Sequence, residues 1–236
     1  RDNLPGLEFR RVLFRSRAPQ AVLVLPMELI NSSYWALAMH RLRATANCLM
    51  ASGLDFWTVP STALASIPQE AKLVLCPLLW GLSDGEWAAL RQLAESGKLV
   101  YISGDVLRDE YLLARKPARL ADLKLGARAS LFSELRGLLT SAPFEVTPTE
   151  ELAGASEVKL TWLGHPLLEL APRREGKVLA RTASGSPVLV GLSLGAGHLV
   201  YSADPLECYI ALDDGGTINA YAEPLTWLYR RLAARA

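Results

Sequence analysis

The sequence is poor in the residues that hold small cross-linked or metal-dependent folds together. Only three cysteines, Cys48, Cys76 and Cys208, and three histidines occur among 236 residues, and none of the cysteines are close neighbours in sequence. Disulfide frameworks and structural zinc sites need close Cys or Cys/His pairs, so neither is expected, and the cysteines read as buried thiols. No apolar run reaches the ~20 residues that a bilayer span requires. An excess of either charge is missing too: 25 basic and 24 acidic residues give a formal charge of +1. Such a balance gives no electrostatic reason to expect nucleic acid or a membrane surface as partner. Cofactor and metal signatures are incomplete. Gly195-Ala196-Gly197 lacks the third glycine and following helix of a dinucleotide fingerprint, and no ligand series follows Asp213-Asp214-Gly215-Gly216. The sequence therefore predicts no cofactor and no metal. What it does hold is a hydrophobic half, enough for a real core and against disorder.

The first residues read as foreign to the rest. Phe9-Arg10-Arg11-Val12-Leu13-Phe14-Arg15-Ser16 matches the translation of a common short-read sequencing adapter, Leu7-Glu8 continues the match upstream, and the chain starts without Met. Residues 1–17 are accordingly expected to be a non-native segment at a truncated reading frame, with the native domain covering 18–236. Without Arg1, Arg10, Arg11, Arg15, Arg17, Asp2 and Glu8, the 25 basic and 24 acidic residues become 20 and 22.

Beyond that segment, apolar runs and helical stripes alternate. Ala21–Pro26 is continuously apolar, as expected of a parallel strand covered on both faces. Asn31-Ser32-Ser33 offers N-cap oxygens to a helix carrying Trp35, Ala38, Leu42, Thr45 and Leu49 on one face and ended by Gly53. Asp55–Val59 and Lys72–Cys76 read as further strands. Ser83-Asp84-Gly85-Glu86 has the form of a capping box, opening a helix with Trp87, Leu90, Leu93 and Ala94 that closes at Gly97. Lys98–Ile102 follows as a strand. This alternation predicts an α/β fold with a parallel sheet flanked by helices. Residues from about 106 to 155 are expected to be an irregular insertion, with a helical stretch at Leu131–Leu139 and a basic cluster that reads as a solvated face. From Val158 the texture turns to strands. Val158–Trp162, Val178–Arg181, Pro187–Ser193 and His198–Ser202 are expected, the last two as a hairpin across Leu194-Gly195-Ala196-Gly197. A final helix carries Tyr221, Leu225, Leu228, Tyr229 and Leu232, with Pro224 in its first turn.

Several of these pieces together resemble a known family. They are the strand ending in Leu25-Pro26, the strand Lys72-Leu73-Val74-Leu75-Cys76-Pro77, the helix closing at Gly97, and Leu99-Val100-Tyr101-Ile102-Ser103-Gly104. The runs Gly176–Ala180, Gly185–Val190 and Gly195–Ser202 add to them. The pattern resembles the flavodoxin-like, class I glutamine-amidotransferase-like domain that serves as the trimerisation domain of certain β-galactosidases and related glycoside hydrolases. Ala196 stands where those domains usually have Lys. The resemblance spans residues 20–205. It implies a non-catalytic accessory and oligomerisation domain of a glycoside hydrolase, with carbohydrate as a possible ligand, a homo-oligomeric assembly, and a catalytic (β/α)₈ barrel upstream. The alternatives are a stand-alone amidotransferase-like hydrolase and a sugar-utilisation protein of the same fold.

The enzymatic alternatives lack their chemistry in the sequence. An amidotransferase of this fold needs a Cys nucleophile in a Gly-x-Cys-x-Gly turn with a His held by Glu. The corresponding turn is Tyr101-Ile102-Ser103-Gly104-Asp105, and His165-Pro166 is followed by Leu167 rather than Glu. Gly191-Leu192-Ser193-Leu194-Gly195 matches a serine-hydrolase formula, but Ser193 falls inside a predicted strand with no helix after it. No catalytic residue is therefore expected. The candidate crevice or interface residues are Ser103, Gly104 and Asp105 after one strand and Asp204 and Glu207 after another. The latter two are expected to point from a loop rather than from the core.

Overall fold

The computed structural model describes residues 19–113, 116–129, 143–154, 160–163, 168–172, 176–202, 205–209 and 222–236. In chain order the elements are β1 (Ala21–Leu25), α1 (Met27–Ile30), α2 (Trp35–Ala51), β2 (Phe56–Pro60), β3 (Leu73–Cys76), α3 (Asp84–Glu95), β4 (Leu99–Ser103), α4 (Ala118–Asp122) and β5 (Leu125–Ala129). There follow β6 (Pro143–Pro148), α5 (Glu150–Ala153), β7 (Leu160–Leu163), β8 (Leu168–Pro172), β9 (Lys177–Thr182), β10 (Pro187–Leu194), β11 (Gly197–Ser202) and α6 (Ala222–Ala233). Short 3₁₀ turns cover Ser61–Ser66 and Leu206–Tyr209.

Among the described residues, nine strands form one sheet in the order β2-β1-β3-β4-β11-β10-β9-β6-β7, while β5 and β8 pair separately. From β2 to β11 neighbouring strands are parallel; from β11 to β7 they are antiparallel. The parallel half contains the continuously apolar runs, as it must when helices cover both faces. Alternate side chains divide between two cores. Val22, Val74, Val100 and Ile102 meet Trp87 and Leu90 of α3 on one face. Leu23, Leu75, Leu99 and Tyr101 meet Cys48 and Leu49 of α2 and Leu225, Leu228 and Tyr229 of α6 on the other.

The local signals act as their chemistry dictates. Ser83 Oγ accepts from the Glu86 N–H while the Glu86 carboxylate accepts from the Ser83 N–H, a reciprocal cap at the start of α3. Gly53 takes φ +75° beyond the end of α2. The hairpin β10–β11 forms with Ser193 opposite His198, and Pro224 lies in the first turn of α6. At α2 the N-cap is Tyr34, with no side-chain cap; Ser32 Oγ instead accepts from the Tyr34 N–H and donates to the Leu29 carbonyl.

The stretch expected to be irregular contributes regular structure among the described residues. Within it, α4, β5, β6 and α5 form, and β6 joins the main sheet between β9 and β7. Its prolines lie at its two ends, Pro143 and Pro148, so they read in sequence as interruptions although they bracket a strand. The predicted helical stretch Leu131–Leu139 and residues 1–18 lie outside the described residues.

Candidate functional site

The parallel pairing of β4 with β11 places Ser103 directly beside Ser202, so the segments that follow both strands leave the same edge of the sheet. That edge, at the carboxyl ends of the strands, is where open α/β sheets form their crevices. The chain crosses there at Gly104, whose N–H donates to the Ser202 carbonyl at 3.2 Å and whose carbonyl accepts from the Tyr201 hydroxyl at 2.8 Å. Burial, followed by the nearby charge of Asp105, holds the Tyr201 hydroxyl well above its ordinary titration range.

Asp105 is a local organiser. Its Oδ1 accepts from the Leu107 N–H at 3.0 Å, its Oδ2 pairs with Arg108 Nε at 3.2 Å, and the residue is buried. These bonds form an Asx-type turn that ends the strand's path and re-aims the chain.

Glu207 corrects the sequence reading. It was expected on an exposed loop, yet it is 0% exposed. The 3₁₀ turn Leu206–Tyr209 inverts the segment and drives Leu206 and Glu207 under α6. There Glu207 Oε2 accepts from Ser103 Oγ at 2.8 Å and Oε1 from the Tyr229 hydroxyl at 2.7 Å. Ser103 Oγ in turn accepts from the Leu78 N–H at 3.1 Å. The ring of Tyr101 stands edge-on to Tyr229, with centroids 6.0 Å apart at 76°. Burial pushes the Glu207 carboxyl up, and hydrogen bonds from Tyr229, Ser103 and Tyr101 only partly offset it. Tyr229 is itself pushed well up, by burial first and then by the Glu207 charge.

The candidate residues Ser103, Gly104, Asp105 and Glu207 therefore do come together, but as a sealed polar staple rather than an open crevice. Asp204 lies outside the described residues. Sequence reasoning missed Tyr229, Tyr101 and Tyr201, which it took only as apolar filling. The available signal was the hydroxyl itself, because a buried Tyr usually finds a hydrogen-bond partner for its O–H.

As chemistry, the arrangement commits its hydroxyls to buried partners. Ser103 Oγ donates to Glu207 Oε2 at 2.8 Å, and burial pushes the titration of that carboxyl up. Ser193 is exposed on β10, its Oγ 3.5 Å from His198 Nδ1 across the hairpin, at the outer limit of a hydrogen bond and without the sharp strand-to-helix turn of a nucleophile elbow. His165 lies outside the described residues. Burial pushes the Cys48 thiol up to about 11 and that of Cys76 higher still. Folded protein at neutral pH is accordingly expected to leave Cys48 and Cys76 unmodified by iodoacetamide, while urea-unfolded protein is alkylated at both. Peptide mass spectrometry checks this, and rapid native alkylation of Cys76 would contradict the packing described.

No protein-family model matches the chain, and no curated protein does. Solved structures do. A β-galactosidase from Bacillus circulans sp. alkalophilus superposes with a TM-score of 0.65 at 15% identity, covering 97% of this chain and 33% of that one. A GMP synthase-type protein from Thermoplasma acidophilum gives 0.55 at 10% identity, covering 92% and 94%. A ThuA-like protein from Bacteroides uniformis gives 0.56 at 12% identity, covering 91% of each chain. The fold is of the class I glutamine-amidotransferase-like type. Within this fold the chain spans about a third of the β-galactosidase and nearly all of the two smaller proteins.

Proposed function

We propose that the chain is a non-catalytic accessory domain of a glycoside hydrolase, assembling with a sugar-cleaving barrel that lies elsewhere in the same protein. The observation that carries this reading is the nucleophile position. In an amidotransferase-like enzyme the turn after β4 would present a reactive thiol, whereas here it presents Ser103, with Ser103 Oγ bound to the buried Glu207 and to the Leu78 N–H. A hydroxyl committed to two buried partners holds the sheet edge to α6. The likeness to one third of a β-galactosidase chain supports the same reading, since glycosidases of this kind carry their two carboxylates on another domain. In this role the domain contributes surface and oligomer contacts, and its core polar groups serve stability.

A second reading is favoured by a different observation. Two proteins of the same fold are covered almost end to end, which fits a stand-alone protein without a barrel. Purified chain is expected to show no glycosidase, amidase or esterase turnover above a heat-killed control. Turnover abolished by Ser103→Ala or Ser193→Ala would overturn the accessory reading. A genomic read across residues 1–17 separates the two non-catalytic cases: several hundred further residues with a carboxylate-bearing barrel support the first, and a start codon near residue 18 the second.

A further inference from the structure

The helix α6 is held to the molecule by its side chains. Leu225, Leu228, Tyr229 and Leu232 recur at helical spacing and are buried against the sheet and α2, while Glu223 and Arg230 face solvent. Among the described residues no backbone-to-backbone hydrogen bond joins α6 to another element. Its rim is fastened lightly: Ser52 Oγ donates to the Thr226 carbonyl at 3.3 Å, Arg230 to the Ala51 carbonyl at 2.8 Å, and Arg235 pairs with Glu151 at 3.1 Å near the surface. At the centre of the docked face the Tyr229 hydroxyl donates to Glu207 at 2.7 Å. A 12-residue helix is at the length where an isolated helix is marginal in water. Docking and helix formation are therefore coupled.

The central bond depends on a charge state. The groups facing Glu207 are the Tyr229 phenol of α6, the Ser103 hydroxyl and Tyr101 phenol of β4, and the Cys48 thiol of α2. None is a cation, and Glu207 enters no salt bridge among the described residues. Ionisation beneath α6 places a charge without a counter-ion in an apolar contact, and lifting the helix gives that charge to water. Burial pushes the carboxyl's titration up, so the docked helix favours the protonated acid and docking weakens as pH rises. Two buried thiols lie on opposite sides of this boundary. Cys48 lies beneath α6, its Sγ 4.0 Å from the Ala222 carbonyl oxygen. Cys76 ends β3, which runs between β1 and β4, and packs in the core on the opposite face.

We propose that α6 is a strap that opens as a unit while the parallel sheet stays folded, with Tyr229 and Glu207 as its latch and rising pH as its release. Opening uncovers Leu49, Tyr101 and the pair Ser103 and Glu207. Sub-global openings of this kind take in elements that are tied to the rest by few buried contacts. The inference applies to either non-catalytic reading, and its failure leaves both untouched.

The test is iodoacetamide labelling of the whole chain in urea concentrations below the unfolding transition. Each cysteine is followed by peptide mass spectrometry, and its rate is divided by that of the urea-unfolded chain at the same pH. Cys48 should label about tenfold or more faster than Cys76, with a shallower dependence on urea because less surface is exposed when α6 alone opens. From about pH 6 to about pH 9, above the ordinary carboxylate range, normalised Cys48 labelling should rise in the parent chain and stay flatter in Glu207→Gln. Tyr229→Phe, which removes the donor and keeps the ring, should raise it about tenfold. Val100→Ala, on the face away from α6, should raise Cys76 labelling and leave that of Cys48 as in the parent. The proposal is overturned by equal rates and equal urea slopes at the two thiols, by unchanged Cys48 labelling in Tyr229→Phe, or by the same pH rise in Glu207→Gln as in the parent.

Discussion

Glu207→Ala is expected to destabilise the domain by about 3–5 kcal/mol. The truncation strands two buried donors, Ser103 Oγ and the Tyr229 hydroxyl, and opens a void between β4 and α6. Glu207→Gln is expected to behave differently, since it keeps the volume and is neutral like the protonated acid that burial favours. The pH dependence separates the two effects. Because the folded state raises the carboxyl's pKa, its contribution to stability is complete below the ordinary carboxylate range. It is lost as pH rises from there through the folded-state value, when ionisation favours the unfolded chain. Urea midpoints measured across that range should fall with rising pH in the parent chain and stay flatter in Glu207→Gln. A Glu207→Ala midpoint equal to the parent's at neutral pH would mean that the carboxyl is not buried as described.

The same residue marks the boundary of what could be read in the sequence. The parallel half of the sheet was legible because its strands are continuously apolar and its helices carry caps and stripes: Ala21–Leu25, Ser83 with Glu86, and Gly53 each act through local chemistry. The hairpin β10–β11 and the first-turn Pro224 were legible for the same reason. β6 was not, because its terminal prolines imitate a break while its pairing with β9 and β7 is non-local. That Ser103 and the segment holding Glu207 share an edge required the direction of β11 relative to β4, a tertiary fact. The burial of Glu207 was hidden because Asp204-Pro205-Leu206-Glu207 has the composition of an exposed turn. The packing of α6 covers it, and Tyr229 and Ser103 supply the donors that make an interior carboxyl tolerable.

Gly104→Ala is expected to cost about 2–4 kcal/mol, and it separates two reasons for a glycine. Gly104 has φ +116°, a conformation that L side chains rarely adopt, and a Cβ there would lie 2.7 Å from the Leu79 carbonyl oxygen and 3.0 Å from its nitrogen. Both are backbone atoms of a segment that cannot easily move aside. The Leu79 N–H donates to the Ser103 carbonyl at 2.8 Å, the Leu78 N–H donates to Ser103 Oγ, and Leu78 already sits at φ 56°. Displacing that segment would also loosen Ser103 from Glu207, so the damage should spread into the polar staple. Gly53 provides the control, for it has φ +75° but nothing within 4 Å of an added Cβ. Gly53→Ala should therefore cost only the conformational strain, about 1 kcal/mol. Urea melts of the two variants measured side by side give the difference directly. A Gly104→Ala variant no less stable than Gly53→Ala would mean that the close approach of Leu79 to the end of β4 is not part of what holds this edge together.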